Sequence, residues 1–139
     1  MNHLKFFGTK NELIEIIFTE DLRLFKNNSQ NQNIDIEVQV KSGAWTSSRF
    51  PQYLEAGCLI SFLKDLRSLL KFSLYGASLQ DDTEMLFIRI ALSKNRNGIW
   101  IYGHIRELDH KNELNFSFDS TPELLASLLD QIEAMQLDV

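Results

Sequence analysis

The 139-residue chain holds a single cysteine, Cys58. An intramolecular disulfide is therefore excluded, and so is a cysteine-rich zinc site. Its three histidines, His3, His104 and His110, form no His-x-x-x-His pair, and there is no Cys-x-x-Cys. A metal site would have to gather ligands from distant segments. The six glycines make neither Gly-x-Gly-x-x-Gly nor Gly-x-x-x-x-Gly-Lys, so nucleotide phosphates find no recognisable cradle. No Gly-x-Ser-x-Gly elbow supports serine catalysis. A Cys–His nucleophile pair would require Cys58 and His104 to meet. Cys58 lies at the start of a helical pattern near its apolar side, where a lone cysteine behaves as a small buried hydrophobe. No catalytic, cofactor or metal set is read from the chain.

Basic surplus is also missing. Lysine and arginine total 14 against 19 acidic residues, a net charge of −5. Nucleic acid, whose phosphates demand clustered Lys and Arg, is a poor match. A basic protein partner fits better, because opposite charge speeds encounter. Many soluble proteins without such a partner carry a charge of this size. No apolar run is long enough to cross a bilayer. Met1 to Gly8 lacks the apolar stretch of a signal peptide. The expectation is a soluble cytoplasmic protein, folded as one domain over 1–139, with no membrane partner. A hydrophobic share of 44% and ten phenylalanines suffice for a core.

The segment Glu12 to Phe18 is rich in β-branched residues and reads as a strand. A short apolar stretch, Leu22 to Phe25, follows it, and Asn27 to Asn33 reads as a polar loop. Ile34 to Val40 alternates strictly, the mark of a half-buried strand. Ser42-Gly43 marks a turn, Trp45 to Phe50 reads as another strand, and Pro51 closes it. From Leu54 to Lys71 the period changes. Leu59, Phe62, Leu63, Leu66 and Leu70 fall at i, i+3, i+4, i+7 and i+11, an amphipathic helix. Leu86 to Leu92, Ile99 to Arg106 and Leu114 to Phe118 then form a meander, with turns at Asn95–Gly98 and Asp109–Asn112. A last helix opens at Thr121 as N-cap, with Pro122 in its first position and a stripe from Leu124 to Met135. The grouping predicts an α+β fold: a mostly antiparallel sheet with two amphipathic helices packed on it.

The strand Ile99 to Arg106 carries the clearest functional signal. Its isoleucines face one way, and Trp100, Tyr102, His104 and Arg106 face the other. The matching neighbours are Phe87, Arg89 and Ala91 on one side, Asn115 and Ser117 on the other. That mixture is too polar for a second core and more aromatic than an idle surface needs. Tryptophan, tyrosine and arginine are enriched at binding hot spots. A contact surface and a purely structural aromatic cluster both remain open. The acidic residues Asp35, Glu37, Asp81 and Asp82 are further candidates for contact with a basic partner. Asp81-Asp82, with Glu84, is a compact acidic group that could bind a cation or a basic partner; such groups more often build ordinary solvated turns.

The order Leu59-Ile60-Ser61-Phe62-Leu63-Lys64-Asp65-Leu66, Leu74-Tyr75-Gly76-Ala77-Ser78-Leu79, Gly98 to Ile105 and Leu114-Asn115-Phe116-Ser117-Phe118-Asp119-Ser120-Thr121 resembles the WapI-like bacterial immunity proteins over roughly residues 34 to 135. The resemblance implies a non-enzymatic protein that binds and neutralises a cognate toxin domain, commonly a nuclease with a basic surface. Its motifs carry no catalytic residues, and contact residues do not transfer between such proteins. Two other readings stand beside it. One is a small-molecule-binding protein or enzyme with a pocket around His104. The other is a homodimer joined through the aromatic face.

Overall fold

Period-two alternation becomes strand structure wherever one face of the segment can be buried. The computed structural model describes residues 2–19, 33–71, 73–81, 83–93, 98–107 and 112–134. The first sheet contains β1 (Asn2–Phe7), β2 (Glu12–Phe18), β3 (Asn33–Ser42), β4 (Trp45–Thr46) and β5 (Phe50–Glu55), all paired antiparallel. β2 lies between β1 and β3, and the far edge of β3 takes β4 and β5 in succession. Leu4 and Phe6, then Ile14, Ile16 and Phe18, then Ile34, Ile36, Val38 and Val40 line its buried face. Leu22 to Phe25 and the polar run up to Gln32 lie outside the described residues.

Two details differ from the sequence expectation. The Trp45–Phe50 stretch is split, because Ser47 is buried and turned onto β3. Its amide donates to the Val40 carbonyl (2.8 Å), and its hydroxyl accepts the Val40 amide (2.9 Å). A side-chain oxygen thus stands in for a strand carbonyl across the break. Pro51 does not close the strand; it sits inside β5 opposite Glu37. Among the described residues β5 pairs with β3 alone, and an edge strand tolerates a residue without an N–H. The preceding hairpin turns at Gly43, whose φ of +61° is the left-handed conformation glycine adopts at little cost.

Glu55 leads directly into α1 (Ala56–Leu70). Leu59, Phe62, Leu63, Leu66 and Leu69 are buried, so Leu69 rather than Leu70 completes the stripe, with Leu70 half-buried beside it. The second sheet is the expected meander with one strand added in front: β6 (Gly76–Gln80), β7 (Leu86–Leu92), β8 (Ile99–Arg106) and β9 (Glu113–Ser120). The β7–β8 ladder runs to Leu92↔Ile99 and closes with Ser93 N–H donating to the Gly98 carbonyl (2.9 Å). Asn95 to Asn97, and Asp109 to Lys111 of the next turn, lie outside the described residues.

The final helix, α2 (Ser127–Ala134), starts later than its cap signal suggests. Thr121 does cap: its hydroxyl accepts the Leu124 amide at 3.2 Å. The bonds that follow include Ala126 to Glu123 and Leu128 to Leu125, an i→i−3 spacing tighter than an α-helix. The first turns after Pro122 are therefore irregular. Met135, the last residue of the predicted stripe, lies outside the described residues.

The fold is α+β with antiparallel sheets. The strands divide into two sheets rather than one, separated in the chain by α1. Buried residues of both sheets and both helices form a single cluster. Three hydrogen bonds tie the sheets at their ends: Thr9 N–H to the Asp119 carbonyl (2.9 Å), the Ser120 hydroxyl to the Phe7 carbonyl, and Gln52 Nε2 to the Arg106 carbonyl (2.8 Å). α2 lies along β1, where Gln131 Oε1 accepts the Lys5 amide (3.2 Å), and Glu133 pairs with Arg67 of α1 (2.9 Å).

Gly103 holds the second sheet in its register. It occupies an inward position of β8 between Ile101 and Ile105, opposite Ile88. A Cβ there would overlap the Phe87 carbonyl oxygen and press on the Phe116 ring. The obstacle on one side is backbone, which cannot swing away. Gly103→Ala is expected to destabilise the protein by about 1–3 kcal/mol or more through overpacking. Urea denaturation measures this, and an unchanged midpoint would show that the sheet has room at β8.

Candidate functional site

The outward face of the second sheet follows from the same alternation that buries Ile99, Ile101 and Ile105. Trp100, Tyr102, His104 and Arg106 share it. In register on β7 are Ala91 opposite Trp100, Arg89 opposite Tyr102 and Phe87 opposite His104. On β9, Asp119 stands opposite Trp100, Ser117 opposite Tyr102, Asn115 opposite His104 and Glu113 opposite Arg106. The neighbours expected from sequence are those found.

The aromatic rings touch one another. Trp100 and Tyr102 lie 4.3 Å apart between centroids and are tilted by 31°. Phe87 meets Tyr102 edge-on at 6.1 Å and His104 at 5.8 Å. Trp100 Nε1 donates to the Ser117 hydroxyl at 2.6 Å, which fixes the indole across β9. The indole remains 50% exposed. Other large side chains are as open, among them Trp45, Tyr53 and Tyr75. Trp100 is part of a ring cluster and makes a side-chain hydrogen bond.

His104 and Arg106 are engaged with the turn before β7. His104 Nε2 lies 2.9 Å from the Glu84 carbonyl oxygen. A carbonyl only accepts, so Nε2 carries the proton and donates. Arg106 donates through Nε to Glu113 Oε1 (3.2 Å) and, at 3.5 Å, through Nη1 to the same Glu84 carbonyl. Glu84 has a φ of +59°, uncommon for a residue with a side chain, and two side chains of β8 clamp its carbonyl. The Arg106–Glu113 pair is exposed and adds about 0–1 kcal/mol, so its role is orientation.

The acidic candidates divide. Asp35 and Glu37 stand on β3 in the first sheet, Asp35 exposed and Glu37 half-buried, while the aromatic face belongs to the second sheet. Asp81 is 7% exposed. Its Oδ2 accepts the Thr83 hydroxyl (2.6 Å) and its Oδ1 the Leu86 amide (3.4 Å). This carboxylate builds the β6–β7 turn, an Asx-type role, and is not presented to a partner. Asp82 lies outside the described residues.

Cys58 packs against the hydrophobic core, and His104 stands on the outward side of the second sheet, so the fold keeps them apart. His3 is not a loose end: it lies on β1 with Nδ1 2.7 Å from Glu15 Oε2. His110 lies outside the described residues. Among the described residues no group of three or more His, Cys, Asp or Glu is placed to hold a metal ion. The clefts lined by described residues include two of moderate size. One, of about 250 Å³, is lined by Leu69, Leu92, Ile99, Leu125 and their apolar neighbours. The other, of about 180 Å³, runs between Trp45 and the Leu114–Phe118 stretch of β9. His104 lines neither. No helix among the described residues is long and apolar enough to cross a membrane.

Sequence reasoning took Glu84 only as part of the acidic group with Asp81 and Asp82, and missed Glu113 and Asp119. The last two were within reach: continuing the β8–β9 hairpin register by one pair at either end places Asp119 opposite Trp100 and Glu113 opposite Arg106. Glu84 contributes only a backbone carbonyl, which no residue type announces. Compared with protein-family models, curated proteins and solved structures, the chain matches none.

Asp81 and Asp119 are expected to behave oppositely on truncation. Asp81→Ala leaves the buried Leu86 amide and the Thr83 hydroxyl short of an acceptor and costs about 1–3 kcal/mol. Asp119→Ala, at an exposed position, stays within about 0.5 kcal/mol of the parent. Chemical denaturation of both variants checks the pair; equal effects would remove the distinction between turn-builder and surface group.

Proposed function

We propose that the protein works by binding another protein through the outward face of its second sheet, and that the partner is a cognate bacterial toxin domain which it neutralises. One observation carries the binding reading: an exposed tryptophan is held in place before any partner arrives. Binding normally costs about 0.5–1.5 kcal/mol for each rotamer-rich side chain it immobilises. At Trp100 the Ser117 hydrogen bond and the Tyr102 ring have already removed much of that freedom. Phe87, Tyr102 and His104 extend the aromatic patch, and Arg89 and Arg106 border it. Such a patch rimmed by polar groups has the composition of an interface centre.

The toxin reading adds the resemblance to immunity proteins and the net charge of −5, which favours encounter with a basic partner. In this role the protein makes and breaks no bonds; it occludes a surface the toxin needs. It acts in the cytoplasm, where an incoming nuclease meets its substrate.

The test uses the whole chain with Trp100, Tyr102 and Arg106 all replaced by alanine. Far-ultraviolet circular dichroism confirms that the variant folds. Capture from a native-host lysate with the parent protein should yield a partner that is toxic when produced alone and harmless when co-produced. The triple variant should bind it at least about tenfold more weakly, as loss of a hot spot does. Undiminished binding would show that the partner sits elsewhere. A parent that halves in mass on substitution, with no such partner captured, would make the face a homodimer contact instead.

A further inference from the structure

We infer that Trp100, Tyr102 and Asp119 together form a receptor for a single cationic side chain, an arginine or lysine presented by the partner. This rests on the binding reading above and specifies its chemistry. Three features of the sheet meet at one place. The first is the tilted Trp100–Tyr102 pair, whose electron-rich ring faces attract a cation. The second is Asp119, directly opposite Trp100 on β9 and exposed. Directly opposed strand residues hold their Cβ atoms about 4.5–5.5 Å apart on one face. Among the described residues no hydrogen bond or ion pair occupies the Asp119 carboxylate; the Thr9 amide donates to its backbone carbonyl. The third is Ala91, the other neighbour of Trp100, whose side chain is a single methyl.

The contrast with the far end of the same face sharpens the assignment. There Arg106 already satisfies Glu113 at 3.2 Å, so that carboxylate has a cation of its own. Arg89 is held by the Ser78 hydroxyl at 2.8 Å. Asp119 is left as the acid of β9 with a ring pair beside it and no internal cation among the described residues. A guanidinium stacked on the indole can direct an N–H towards this carboxylate, combining a cation–π contact with an ion pair. The fixed indole means that the receptor exists in the free protein.

Nuclear magnetic resonance of the full chain tests this, with the two indole N–H signals as reporters. Trp45, in the first sheet across a cleft from Leu114 to Phe118 of β9, serves as the comparison. Hexa-arginine peptide should shift the Trp100 signal saturably and leave the Trp45 signal in place. A hexa-citrulline peptide, of the same shape without charge, should shift neither. Asp119→Asn should weaken hexa-arginine binding by up to about fivefold, the upper worth of one exposed ion pair. Equal movement of both indoles would reduce the effect to general attraction by an acidic protein and overturn the assignment. So would an unmoved Trp100 signal, or an Asp119→Asn variant that binds like the parent. The two proposals fail separately. A partner lost on triple substitution while hexa-arginine leaves Trp100 unmoved sinks the cation receptor alone. Saturable arginine binding at Trp100 with undiminished partner binding by the triple variant sinks the partner assignment alone.

Discussion

The pairing register of β8 is the constraint on which everything else rests. With a side-chain period of two, a slip of one residue would turn Trp100, Tyr102 and His104 into the core and bring three isoleucines out to water. The hydrophobic term for burying those isoleucines, about 1.5–3 kcal/mol each, sets which face is which. Gly103 then adds a steric condition at one inward position of the strand. The backbone of β7 comes so close to it that no side chain fits between. Glycine within a strand ordinarily weakens it; in β8 it admits the close approach that carries Phe87 up beside Tyr102 and His104. Inside packing and outside arrangement are thus consequences of one alignment.

The same economy governs the sheet margins. Open strand edges invite unwanted pairing. β1 has its edge beside α2, with Gln131 accepting a strand amide, and β9 receives Thr9 at Asp119. The proline of β5 lies on an edge strand, where an absent amide also discourages further strand addition. The two sheets touch through a few end-to-end hydrogen bonds and a shared core rather than through a continuous ladder. Asp35 and Glu37 belong to one and the aromatic patch to the other, although residue type alone would group acids with aromatics as parts of a single interface.

What could be read from the chain follows from which interactions are local. β2, β7 and β8 were legible to the residue, because β-branched composition or strict alternation marks them. The facing neighbours of Tyr102 followed from hairpin geometry. β1 and β6 escaped notice. β1 is short and lies at the chain start, and β6 opens on Gly76-Ala77-Ser78, residues with little strand preference. Pro51 misled because the rule it signals, no donor in a ladder, has an exception only the sheet order reveals. Thr121 was correctly a cap, but nothing local shows that the turns after it tighten before the helix settles. Asp81 and Asp82, with Glu84, read as an acidic group at the surface, either a contact for a basic partner or a solvated turn. Burial of Asp81 depends on the turn folding over its carboxylate, a tertiary outcome.

Bulk charge is a weak guide to what such a face recognises. The chain is acidic as a whole, yet the outward face of the second sheet carries Arg89 and Arg106 beside Glu113 and Asp119. Long-range attraction depends on the sum and is screened beyond about 10 Å at ordinary ionic strength. Selectivity among partners arises at contact, where it matters which carboxylate already has a cation and which does not. Glu113 is paired and Asp119 is not engaged within the described residues. A partner cation at Asp119 would meet no internal competitor among the described residues and would gain a ring face as well. At Glu113 it would first have to displace Arg106, whose guanidinium also holds the Glu84 turn. Internal pairing therefore does more than net charge to decide where on this sheet a basic partner would settle.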